Sequence, residues 1–208
     1  MTDPHLRFKP RRLEQISSEE PALSSELIKL KRLEEQSLPI APISVVSPAI
    51  EEHFYRLNNL PGQLANVFAQ VDPSDPDEDD IEELAPKARR LLKMHYLLDE
   101  VIDLFYEAIR DLGASLRVRR PGQAGYECSQ GRPALMALRN LWLDDWSYDA
   151  IMQRLKQSQT IGLEPRPVLI HATDSAAPQT LNTEASRILK EPVRLWQSPE
   201  GITRIAGQ

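Results

Sequence analysis

Apolar residues recur every seven positions through residues 85–113, APKARRLLKMHYLLDEVIDLFYEAIRDLG. Leu91, Leu98, Phe105 and Leu112 share one position, and Met94, Val101 and Ala108 share the one three residues on. Ile102 and Ile109 widen the stripe on one flank, Leu97 and Leu104 on the other. So broad a face predicts one central helix over 86–112, packed on several sides. Pro86 suits its first turn and Gly113 a left-handed stop. At ~1.5 Å per residue it would be roughly 40 Å long.

Shorter amphipathic segments flank it. Ser47 and Pro48 open a helix carrying Ile50, Phe54 and Leu57, NNLPG (58–62) breaks it, and Leu64, Val67, Phe68 and Val71 mark the next. Beyond Gly113 the period drops to two. SLRVRR (115–120) and YECS (126–129) surround PGQAG and predict a β-hairpin over 115–129. PALMALRNLWL and YDAIMQRLKQ then read as helices, the second capped by Ser147. From Gly162 the pattern becomes strand (167–174), helix (181–190) and two strands around SPEG (193–206). That unit is small and must lean on the helices or borrow the hairpin.

Residues 1–47 are rich in proline, serine and charge, and are expected to form a disordered arm and linker. Arg7, Lys9, Arg11 and Arg12 make its start basic. Within it, 24–36 is a helix candidate with Leu27, Leu30 and Leu33 on one side. A stripe that narrow does not hold a helix alone; it either stays solvated or folds in a partner's groove. The expected class is α+β and mainly helical: a long central helix in a small bundle, a β-hairpin, and a small C-terminal α/β cap. The expected boundaries are 1–47, 48–160 and 161–208, with the cap packed on the core.

At 208 residues and 41% hydrophobic content, the chain can bury a sizeable core. A net charge of −6 argues against wholesale coating of nucleic acid. Cys128 is the only cysteine, which excludes a disulfide framework and a cysteine-rich zinc site. No apolar run approaches the ~20 residues of a membrane helix, and the first residues lack the apolar core of a signal peptide. A cytoplasmic protein with no membrane association, cofactor or metal is expected.

The best functional lead is basic. Residues 113–139 hold five arginines against Glu127 alone, a local +4. Arg117 and Arg119 fall on one strand face by the period of two; with Arg120 and Arg132 they could grip phosphates or an acidic partner. The competing reading pairs them with the acidic block 72–83, or leaves them in water. That block holds eight acids and no base. Asp75, Asp77 and Asp79 have the alternate spacing of a calcium loop, but Asp80 stands where the turn glycine belongs and Pro86 where the bidentate glutamate does. Arg90 and His95 have the R-x4-H spacing that resembles HEPN-type ribonucleases, although Leu91 replaces the polar residue that commonly follows the arginine. The resemblance spans six residues; it implies His95 as acid/base and Arg90 on the phosphate. His171, Asp174 and Ser175 gather at a strand end, with no G-x-S-x-G elbow to make a nucleophile. Cys128 has arginines near it that could lower its pKa.

The preferred expectation is a non-catalytic adaptor or regulator that binds another protein, with Leu27, Leu30 and Leu33 as a partner helix. The alternative is a nucleic-acid-binding regulator using Arg117, Arg119, Arg120 and Arg132. A homodimer stays open, because a second copy could complete the wide face of the 86–112 helix.

Overall fold

The computed structural model describes residues 8–17 and 24–207. It is mixed α+β, with helices and two antiparallel sheets. The central sheet has the order β1 (Arg11–Arg12), β2 (Ser44–Val46), β5 (Val168–Ala172), β3 (Ser115–Arg119), β4 (Tyr126–Ser129). One face carries Val46, Leu116, Val118, Val168 and Ile170 into a helical layer. That layer comprises α2 (Pro48–Leu57), α3 (Leu60–Val67), α4 (Glu78–Lys93), α5 (Asp99–Ile109), α6 (Arg132–Asp144) and α7 (Tyr148–Ser158). The other face carries Val45 and Leu169 into a second core. There lie α1 (Ser25–Glu35), α8 (Gln179–Leu189) and a small sheet ordered β6 (Ser175–Ala176), β7 (Val193–Ser198), β8 (Gly201–Gly207).

The segment expected as an unstructured arm is instead packed where it is described: Phe8 and Val46 join the helical layer, and Leu13, Ile16, Leu27, Leu30, Leu33, Leu38, Ile43 and Val45 join this second core. Ser24 caps α1 by accepting from the Leu27 amide, and Leu27, Leu30 and Leu33 are each 0% exposed. They pack with Leu169, Ala185, Leu195 and Ile202, so the stripe meant for a partner is filled by the chain's own C-terminal half. Each such leucine contributes about 1.5–3 kcal/mol by leaving water. Phe8, Leu13 and Ile16 are buried too. Within the basic arm, Lys9 pairs with Glu107 at 2.9 Å and Arg12 lies 3.9 Å from Asp111; Arg7 lies outside the described residues.

The long helix is two helices. α4 starts eight residues before Pro86, with Asp77 as its cap, and ends at Lys93; α5 begins at Asp99. Arg90 and Lys93 sit in the last turn of one, Asp99 and Glu100 in the first turn of the other, the order that favours a stop and a restart. Gly113 has the expected positive φ, 100°. The C-terminal segment joins the hairpin through β5, which sits between β2 and β3 in the central sheet. Within the helical layer Trp142 stacks on Phe54 and Trp146 on Phe68.

Candidate functional site

β3 and β4 pair antiparallel through Leu116–Cys128 and Arg117–Glu127. Gly125 in the connecting loop has φ 68°, and a Cβ there would come within 2.3 Å of the Val118 carbonyl. Only glycine lets the loop fold back so closely over the strand end. That strand end carries the basic residues.

Arg117 and Arg119 do share a face, but α1 and β8 cover it. Arg119 is 0% exposed and all five of its N–H groups have acceptors. Its Nε donates to His171 Nε2 at 2.9 Å. Nη1 donates to Glu26 Oε2 and the Arg120 carbonyl, and Nη2 to Glu26 Oε1 and the Thr203 carbonyl. Glu26 is equally saturated, taking the Gly122 and Ile205 amides as well, at 2.8 and 3.0 Å. Because His171 Nε2 accepts, its proton sits on Nδ1, which faces the Ala172 carbonyl at 2.8 Å. Burial, then the Arg119 charge, push the His171 pKa down to about 4. The ring is neutral and its accepting nitrogen is occupied, which leaves His171 no free base. Asp174 serves Arg117 at 2.8 Å and the Thr203 hydroxyl at 2.8 Å, while Ser175 is exposed on β6. The three residues at this strand end therefore point to separate partners.

Arg120, the next residue, points into the helical layer and is 1% exposed. Nη2 meets both Glu51 oxygens at 3.0 Å and Asp145 at 2.6 Å, and Nη1 meets the Arg166 carbonyl. Its Nε is buried without a partner. Asp145 also takes the Arg166 guanidinium, and its carbonyl takes Arg154. Burial raises the Glu51 pKa against the pull of Arg120.

Of the four arginines singled out from sequence, Arg119 and Arg120 are thus sealed inside, and Arg117 is half-buried against Asp174 and Glu127. Arg132 alone is exposed and outside any ion pair among the described residues. The carboxylates that hold them are Glu26, Glu51, Asp145, Asp174 and Glu127, not the block 72–83. A signal for them existed. Glu26 lies one turn before Leu30, and Glu51 one turn before Tyr55, acids on otherwise apolar faces.

Among the described residues no cluster of three His, Cys, Asp or Glu side chains could hold a metal. Asp77 caps α4 instead. Arg90 is exposed on α4 and His95 half-buried beyond its end, with no hydrogen bond joining them. Burial raises the Cys128 pKa, the opposite of the activation its neighbours suggested. No described helix is long and apolar enough to cross a membrane.

A different surface gathers at the α4–α5 link. Tyr96 is 69% exposed, Met94 61% and Leu57 47%, three of the four exposed large hydrophobics among the described residues. Asn58, next to Leu57, donates to the Tyr96 carbonyl at 3.4 Å, which brings the α2 end to the link. Arg139 fixes the link from α6, donating to the His95 carbonyl at 2.9 Å and lying 5.0 Å over the Tyr96 ring. An exposed aromatic held by a guanidinium beside a methionine has the composition of an interface core. Neither a protein-family profile nor a curated protein matches the chain.

Proposed function

We propose that the protein is a non-catalytic binding module whose docking surface is Leu57, Met94 and Tyr96. The observation that carries this reading is their convergence at one exposed link that is held by Asn58 and Arg139. The partner is another protein, one that brings an apolar side chain against Tyr96 and Met94. Nucleic-acid binding through the hairpin has weaker support, since three of its four arginines already hold carboxylates.

The test places a photo-crosslinking residue at position 94 and compares the captured proteins with those of a Tyr96→Ser variant, with and without nuclease. A partner that survives nuclease and disappears with Tyr96→Ser supports the reading. A partner set indifferent to Tyr96, or lost with nuclease, contradicts it.

A further inference from the structure

The exposed side of α4 carries a mirror pattern. Asp79, Glu82, Pro86, Arg90 and Lys93 are all exposed, and their spacings of three, four, four and three place them on one stripe. The stripe is turned away from the buried Ile81, Ala85, Ala88 and Leu92. It flanks a groove of about 500 Å³ shared with the start of α7, where Ser147 and Tyr148 form the opposite wall. Two acids precede Pro86 and two bases follow it at the same distances. None of the four charged residues takes part in an ion pair among the described residues, although Glu83 and Lys87 on the neighbouring stripe do pair, and so do Arg89 and Asp144.

The helix dipole favours acids early and bases late, so the order of signs alone carries nothing. The dipole does not require equal spacing about a central exposed proline. A twofold axis does, because an isologous contact must match a surface to itself. Placed antiparallel, one stripe sets its Asp79 and Glu82 against Lys93 and Arg90 of a second copy, and Pro86 against Pro86.

We propose that this stripe of α4 is a self-docking surface, at which two copies of the protein associate antiparallel about an axis through Pro86. The contact joins four acid–base pairs around a small apolar centre. Exposed pairs are individually weak and screened by salt, so the dimer is a low-affinity one that dissociates as ionic strength rises. It shares no residue with Leu57, Met94 and Tyr96, although Lys93 adjoins Met94, and it does not depend on the docking reading above.

The test is sedimentation of the full chain over a range of concentrations at low and high salt, with two paired variants. One is Arg90→Glu with Lys93→Glu; the other is Asp79→Lys with Glu82→Lys. Circular dichroism establishes that each keeps its helices. Wild type is expected to dimerise at low salt, and each variant alone to associate more weakly by on the order of tenfold or more, since like charges then face each other. An equimolar mixture of the two variants is expected to recover association, because an all-acidic stripe then meets an all-basic one. A wild type that stays monomeric at low salt, or a mixture that associates no better than its components, overturns the proposal.

Discussion

Arg119 and Arg120 are consecutive, equally buried and oppositely placed, and the chain satisfies them differently. Arg119 meets one carboxylate and one neutral imidazole, and each of its five donors has an acceptor. Arg120 meets two carboxylates, yet its Nε has none. The first pair is drawn from far apart in sequence: Glu26 comes from α1, and the Ile205 amide that shares it from the last strand. It ties both ends of the described chain to the central sheet. The second is assembled within the helical layer and its 159–167 connection, where Asp145 is shared among three arginines. A fully saturated buried pair has no substitute when one member is lost, whereas a shared cluster has spare charge. Basic residues dense enough to suggest a ligand site are thus engaged in joining layers.

The largest expected effect follows from this contrast. Glu26→Ala strands a buried guanidinium and two amides and should cost about 3–5 kcal/mol in urea unfolding. Glu51→Ala leaves Arg120 with Asp145 and should cost less, about 1–3 kcal/mol. Equal losses would break the comparison. The two clusters also titrate in opposite senses. The His171 pKa is depressed from 6.5 to about 4, so the unfolded chain takes up the proton first. Stability is therefore full above pH 6.5 and falls as pH drops toward 4, by up to about 3 kcal/mol. His171→Gln, which keeps an acceptor for Arg119, should flatten that fall. Glu51 is raised above 4.5, so the folded state holds its proton longer and this contribution declines as pH rises above 4.5. Glu51→Gln should remove that part of the profile, and a profile unchanged by both substitutions would show that neither group governs it. The smallest effect on stability is expected from Tyr96→Ser, within about 0.5 kcal/mol; unfolding measurements check this beside the lost crosslink.

Much of this was legible locally. The α1 helix and its leucine stripe could be read, as could the shared face of Arg117 and Arg119. What covers those faces could not, because Leu27 meets residues more than 140 positions away and strand periodicity says only which residues share a face. The break at 94–98 was masked by a seven-residue count that runs through it, although Lys93 followed by Asp99 and Glu100 marked a stop and a start. Strand β5 was visible as a strand, but its place between β2 and β3 depends on nonlocal pairing that no local pattern encodes. The exposed link at Tyr96 was missed for the same reason: inside one long helix, Met94 counts as core.

A double-mutant cycle between Glu26→Gln and Arg119→Met tests the central claim most directly, namely that the hairpin arginines hold the layers together through specific carboxylates. If the pair acts as a unit, the double variant is more stable than the summed single losses allow, by roughly 2 kcal/mol. Losses that add to within about 0.5 kcal/mol would contradict it.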